Sequence, residues 1–343
     1  MPGKNFSSSE SAPMNKIAVV AIGGNSISPE GERGDIPEQF QNVHETCRHF
    51  LALFQQGYEI VLTHGNGPQV GNALRRVELA SKEVYPLPLD ICVADTEGGM
   101  GYMIQQILGN ELANAGIRKP VVTLITQTVV NADDPAFKNP TKPIGPFYSK
   151  ELANEYKITR GWNLAEDAGR GFRRVVPSPT PQEIVECPLI KTLLKEGAVV
   201  IAAGGGGVPV IRTSVGMRGV EAVVDKDLAS SLLASQIGAE LFLISTGVES
   251  VSLYYKTPKQ QSLKSLSLSL AKKYLGEGHF PPGSMGPKIK AAIAFLENRA
   301  SGNKFVQGIL FDGYELSKEV IITSPHVIKQ ALTGMCGTHI YID

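Results

Sequence analysis

Three lysines stand where a chain would place cations to meet a phosphate. Lys142 is held between prolines in Pro140-Thr141-Lys142-Pro143, Lys226 lies inside Asp225-Lys226-Asp227, and Lys288 follows Gly283-Ser284-Met285-Gly286-Pro287. The prolines stiffen the backbone around Lys142. Lys226 and Lys288 each open a helical stretch, and at Lys288 the helix dipole adds to the side chain's charge. Plainer roles exist for each: Asp225 or Asp227 as a helix cap, Pro287 as a first-turn residue, Lys142 as a solvated side chain. Three glycine clusters accompany the lysines: Gly23-Gly24-Asn25, Gly65-Asn66-Gly67 and Gly204 to Gly207. Turns of this kind leave backbone N–H groups free to hold phosphate oxygens. A bare turn explains any one of them, but four consecutive glycines are costly to order, so the three together point to an anion site. Cations and N–H cradles at one edge are the parts list of phosphoryl transfer.

The usual nucleotide signatures are missing. The chain has no G-x-x-x-x-G-K-[ST], no H-R-D or D-F-G set and no G-x-G-x-x-G after its first strand-like run, which argues against P-loop, protein-kinase and Rossmann readings. The six histidines lack metal-ligand spacing, and His64 and His279 receive no role. Cys47, Cys92, Cys187 and Cys336 are scattered without a C-x-x-C pair. That pattern predicts free thiols in a reducing compartment rather than disulfides or structural zinc.

The elements that must position these residues follow one theme, an apolar run ending in small residues and then a helical stretch. Ile17 to Ile22, Glu59 to Thr63 and Ala198 to Ala203 each run into one of the glycine clusters. Val121 to Thr128, Leu241 to Thr246 and Val320 to Thr323 are further β-rich runs without alternation, as expected for strands buried on both faces. Helical patterns cover Glu45 to Gln56, Gly101 to Ala115, Leu228 to Ile237 and Lys288 to Asn298, the first three stopped by glycine. A mainly parallel sheet follows, with its ligands beyond the carboxyl ends of the strands. Residues 131–181, rich in Pro, Gly and Arg, break the pattern and read as a small excursion able to move over the site.

The chain's 343 residues are 42% hydrophobic, enough for one large core or two modest ones. Lys+Arg and Asp+Glu are both 33, so no global field would draw the protein to nucleic acid or an anionic membrane. No apolar run approaches a bilayer span. Residues 1–15 are polar and Ser-rich and read as a disordered leader.

In order, the segments AIGGNS, THGNGPQVG, GYMIQQ, TQTVV, NPTKPIGPFY, DAGRGFRRVVPSP, IVE, AAGGGGVPV, GVEAVVDKDLASSLLA and EGHFPPGSMGPKIKAAI closely resemble carbamate kinases of the amino-acid kinase superfamily. The resemblance implies an α/β fold, a three-layer αβα sandwich around a mainly parallel sheet of about eight strands with a small protruding subdomain. It implies a carbamate-binding and dimerisation lobe over 16–218, with 131–181 protruding, and a nucleotide-binding lobe over 219–343. It implies reversible transfer from ATP to carbamate, giving ADP and carbamoyl phosphate, by a cytoplasmic homodimer acting in arginine or other nitrogen-compound catabolism. Mg²⁺ accompanies the nucleotide; nucleic acid and membrane are not partners.

Position within these motifs assigns Lys142, Lys226, Lys288 and Asp225 to catalysis. It assigns Gly23, Gly24, Asn25, Gly65, Asn66 and Gly67 to the transferring phosphoryl and the carbamate. Asp227, Thr246, Tyr255, Met285, Gly286 and Lys288 fall to the nucleotide, and no residue to a protein-held metal. The chain departs from the resemblance at Gly247, where relatives commonly carry an aspartate, and at Asp95-Thr96-Glu97-Gly98-Gly99, where many read Met-Ser-Gln-Gly. Residues 299–318 are longer than the usual connection, and Ser262 to Leu270 is Ser-rich. The competing class is a catalytically weak member that senses nucleotide or carbamoyl phosphate, or acts as a scaffold.

Overall fold

The structure, a computed structural model, describes residues 16–29, 31, 33–166, 171–300 and 319–343. The leader 1–15 and most of the long connection at 299–318 therefore lie outside the described residues.

Eight strands form the main sheet. In chain order they are β1 (Ile17–Ile22), β2 (Glu59–His64), β3 (Val121–Thr123), β4 (Val199–Ile201), β5 (Leu241–Ser245), β6 (Ser265–Ser267), β7 (Glu319–Thr323) and β8 (Thr338–Tyr341). Their spatial order is β6-β8-β7-β5-β1-β2-β4-β3. All neighbours pair parallel except β7 and β8. The fold is thus α/β, as expected.

The central strands are apolar through their middles because helices cover both faces. Along β1, Val19 and Ala21 pack into one core with Ile190, Leu233, Ala234, Ile289 and Phe295. Ala18, Val20 and Ile22 point the other way, into a core with Val43, Phe50, Ile104 and Leu108. The first face is covered by α5 (Cys187–Lys195), α6 (Lys226–Ile237), α7 (Leu268–Gly276) and α8 (Met285–Ala300), the second by α1 (Ile36–Gln55) and α3 (Leu89–Asn114). Helix α2 (Gly67–Ala80) follows β2 directly.

Three smaller sheets accompany this sandwich among the described residues, one of them only the pair Ser252–Leu253 and Gln261–Ser262. Gly216–Gly219, Val208–Thr213, Gln127–Val130 and Pro181–Ile184 make another. The expected run Val121 to Thr128 is therefore two strands in two sheets, because the chain leaves the main sheet after Thr123 and re-enters pairing at Gln127. The third sheet, Lys142–Tyr148, Phe172–Val176 and Leu164–Glu166, lies within the excursion foreseen at 131–181. With α4 (Lys150–Arg160) it encloses its own small core of Ala153, Tyr156, Trp162 and Leu164. It seats on α2 where two glycine backbones cross: a Cβ on Gly71 would lie 1.9 Å from Gly145 N.

Candidate active site

Helix α6 begins at a capping carboxylate. Asp225 Oδ1 accepts from the backbone N–H groups of Asp227 at 3.0 Å and Leu228 at 3.4 Å, satisfying donors that a helix start leaves open. Its other oxygen accepts from Lys142 Nζ at 2.5 Å. The strand Lys142–Tyr148 is thereby tied to the first turn of α6.

Asp227, 3% exposed, lies between two ammonium groups. Lys226 Nζ is 2.9 Å from Oδ1 and Lys288 Nζ 3.2 Å from Oδ2. Burial alone would raise the Asp227 pKa, but the two cations hold it well below the carboxylate range. Lys226 is itself buried, which lowers its pKa, as does Lys288, while Asp227 pulls the other way. The 2.9 Å contact with Asp227 engages at most one of the three Lys226 N–H donors, although the nitrogen is inaccessible to solvent. Buried donors without acceptors are costly. This ammonium is poised for an oxyanion.

The first two glycine turns lie over that lysine. β1 and β2 are adjacent and in register from Ile17 and Glu59 to Ile22 and His64, so the turns that follow them sit side by side. A Cβ on Gly65 would lie 3.6 Å from Gly24 N and 3.7 Å from Lys226 Cδ. On Gly23 it would lie 2.7 Å from Ser245 O, which marks how closely the end of β1 approaches that of β5. Gly24 and Asn25 belong to a single 3₁₀ turn, Gly24–Ser26. Asn66 is 2% exposed and donates through Nδ2 to Thr96 Oγ1 at 3.0 Å. Gly67 opens α2 and faces Pro143 O, beside Lys142.

The third cluster differs from expectation. Gly204 to Gly207 are all buried, and four backbone donors from Ala203 to Gly207 have acceptors inside the protein. Ala203 N donates to Thr126 Oγ1, Gly204 N to Glu97 Oε1, Gly206 N to Ala203 O and Gly207 N to Gly204 O. The glycines exist because four neighbours press on them: added Cβ atoms would lie 2.4 Å from His64 Nε2, 2.1 Å from Asn66 Nδ2, 2.5 Å from Val224 O and 2.3 Å from Thr128 Oγ1. Close packing thus accounts for glycine at all four positions of this turn.

On the side of α8, Met285 is its first residue and Gly286 N donates to Pro281 O at 2.9 Å, one turn before Lys288. Tyr255 is half exposed beside Lys256. Thr246 donates its N–H to Thr323 O, has its Cα 3.6 Å from a Cβ built on Gly23, and lines a cavity of about 220 Å³ with Ser26, Thr46, Gly247, Ser324 and His326. The three lysines thus meet around Asp225 and Asp227.

Two buried groups had no role in the sequence reading. His64 donates Nδ1–H to Gly65 O, leaves Nε2 without a partner and is held neutral by burial, with its pKa lowered to about 4. Glu97, 1% exposed, accepts from Gly204 N and Thr126 N. A signal existed for it. Val93, Glu97, Met100 and Ile104 follow helical spacing, so Glu97 falls on the buried face of α3.

Comparison with known proteins places this geometry in context. Residues 16–303 match the amino acid kinase family. The chain is 50% identical over 331 residues to the carbamate kinase-like protein YahI of Escherichia coli (strain K12), covering 95% of this chain and 99% of that protein. It is also 50% identical over 287 residues to the carbamate kinase of Pyrococcus furiosus, covering 83% and 91% of the two chains. Among solved structures, carbamate kinase from Giardia lamblia bound to citric acid aligns with a TM-score of 0.86 at 39% identity, over 96% of this chain and 99% of that one. The same enzyme bound to AMP-PNP aligns with a TM-score of 0.83 at 40% identity, over the same shares.

Proposed function

Because the chain belongs to the amino acid kinase family, among the carbamate kinases, we propose that it moves a phosphoryl group reversibly between ATP and carbamate, giving ADP and carbamoyl phosphate. The observation that carries this reading is the buried Lys226 ammonium. At least two of its three donors have no acceptor in the protein, it lies against the turn at Gly65, and it shares Asp227 with Lys288.

Carbamate is already an anion, so its oxygen attacks the γ-phosphorus without a general base. The barrier is the gathering of negative groups in line. A neutral His64 fits a site that needs no base. Lys226, Lys288 and the backbone N–H groups of the turns at Gly23-Gly24-Asn25 and Gly65-Asn66-Gly67 stabilise the charge that develops on the transferring oxygens, each donor contributing about 2–4 kcal/mol. Lys142 would leave Asp225 for the phosphoryl group as the small sheet closes over the reactants. Closure excludes water, in which carbamate and carbamoyl phosphate both decompose.

Met285, Gly286, Asp227 and Lys288 would hold the nucleotide, with Tyr255 and Thr246 at its margins. Both carboxylates here are committed, Asp225 to the α6 cap and Lys142, Asp227 to two lysines. Mg²⁺ therefore enters on the nucleotide's phosphates as part of the substrate.

We assign 16–218 to the carbamate-binding and dimer-forming lobe, with 131–181 protruding, and 219–343 to the nucleotide lobe. The enzyme would be a cytoplasmic homodimer running toward ATP in arginine or other nitrogen-compound catabolism. The test is ATP formation from ADP, Mg²⁺ and fresh carbamoyl phosphate against a no-enzyme control. Robust ATP production supports the assignment. No ATP above the control, with nucleotide still bound, overturns it in favour of a sensor or scaffold.

A further inference from the structure

The strand Lys142–Tyr148 runs alongside helix α2 from one end to the other. Gly67, the first residue of α2, faces Pro143 O, and one turn on Gly71 meets the Gly145 backbone. Farther along the same helix face, Arg75 and Glu78 line a small cavity with Tyr148, Trp162 and Arg174. From Gly67 to Glu78 the helix rises about 17 Å, and from Lys142 to Tyr148 a strand covers about 20 Å, so the two elements match in length. Lys142 therefore stands at the end of this seam nearest the site, and Glu78 marks the other.

The far end is held by charge. Among the described residues, Glu78 is the one carboxylate that three guanidinium groups share. Arg174, on the strand Phe172–Val176, donates from Nη1 to Glu78 Oε1 at 2.5 Å. Arg160, which ends α4, and Arg75 of α2 place Nη1 at 3.5 and 3.6 Å from Oε2. Arg75 Nη1 and Glu78 Oε2 are closed off from solvent, so water and salt screen this pairing little. Arg160 also lies over the rings of Tyr156 and Trp162, and Arg174 over Trp162. Those ring contacts attract the guanidiniums, but they stay inside the excursion. Only Arg75 over Tyr156, at 5.9 Å, crosses to α2. The carboxylate is thus what joins the excursion to the helix, and without it three cations would face one another.

We infer that Glu78 is a positioning residue for Lys142: it clamps the far end of the excursion to α2, so that the near end turns about the crossing of Gly71 and Gly145 and carries Lys142 between Asp225 and the transferring phosphoryl group. The crossing suits a pivot because neither backbone there bears a side chain. Lys142 and Glu78 share no contact, so any influence of Glu78 on the chemistry must pass through the strand that bears Lys142. This rests on the carbamate kinase reading.

The experiment is a double-mutant cycle in ATP formation with wild type, Glu78→Gln, Lys142→Ala and the double variant, with far-UV circular dichroism as the fold control. Trp162 is the only tryptophan of the chain and is 9% exposed, so acrylamide quenching of its emission reads the clamp directly. Glu78→Gln should lower kcat at least about tenfold, the size expected for a lost alignment, with KM for ADP unchanged and Trp162 more readily quenched. In the Lys142→Ala background the same substitution should lower kcat less than about twofold, because residues that act through one another do not add. A full loss repeated in that background, or quenching equal to wild type, overturns the inference and leaves the kinase reading standing. Wild type without turnover overturns both. If Glu78→Gln does not fold, Arg174→Gln, which leaves Glu78 with Arg75 and Arg160, enters the same cycle under the same criteria.

Discussion

Lys226 and Lys288 reach opposite oxygens of one buried carboxylate, Asp227, at 2.9 and 3.2 Å. Two cations are thus held side by side with one anion between them. The cluster keeps a net positive charge next to two glycine turns, a field that attracts phosphate and that bulk salt screens little because the groups are buried.

Removing Lys226 should isolate its part in the chemistry. Lys226→Ala deletes a preorganised buried cation beside the glycine turns, so turnover should fall about 10²- to 10³-fold while the far-UV circular dichroism stays that of the wild type. Equal turnover in the two proteins would remove Lys226 from the mechanism.

Removing Asp227 should act on stability first. Asp227→Asn leaves two ammonium groups facing each other without their anion, and breaking a buried pair in this way costs about 3–5 kcal/mol. Because the folded-state pKa is depressed, the stabilisation is present above the ordinary carboxylate range and is lost as pH falls through the lower folded value. Thermal unfolding should therefore show the deficit of the variant at neutral pH and a smaller deficit in strong acid.

Gly205 has φ of +65° and no room for a side chain beside Asn66. Gly205→Ala should cost about 1–3 kcal/mol from backbone strain alone and should lower turnover by displacing Asn66. A variant whose melting temperature matches the wild type would show that the turn is not tight.

Glu97 should leave its mark on stability against pH with the sign opposite to Asp227. Its folded-state pKa is raised to about 8, so its favourable contribution is full below the ordinary carboxylate value and is lost as pH climbs through about 8. Urea unfolding at a series of pH values should show this decline in wild type, and a flatter curve in Glu97→Gln.

Sequence reading recovered the sheet because buried parallel strands are apolar runs, and Ile17–Ile22, Glu59–His64 and Leu241–Ser245 have no polar alternation to blur them. The lysines were legible because each sits in a stiff or capped setting. The start of α3 was hidden, since the helical pattern was read only from Gly101 onward whereas the helix begins at Leu89. Gly101 is in fact needed where the helix presses on Thr123, whose methyl carbon would lie 2.2 Å from a Cβ there. The crowding around the four-glycine run was hidden for a related reason. A turn that cradles an anion and a turn crowded by four neighbours ask for the same residue, and only the placement of His64, Asn66, Val224 and Thr128 tells them apart. Glu97 escaped because its two acceptor contacts join residues far apart in the chain.

The position of β1 carries a consequence for how the protein is made. Its two edges are taken by β2, which follows soon after, and by β5, where Ala18 pairs with Leu241. During synthesis one edge of the most apolar strand therefore waits, open, until much of the polypeptide has emerged. Closing so distant a contact is slow, and an open apolar edge invites pairing with a neighbouring chain. Fragments that end before Leu241 would keep that edge uncovered, so the amino-terminal half should aggregate when produced alone and stay dispersed when the carboxyl-terminal half is supplied with it.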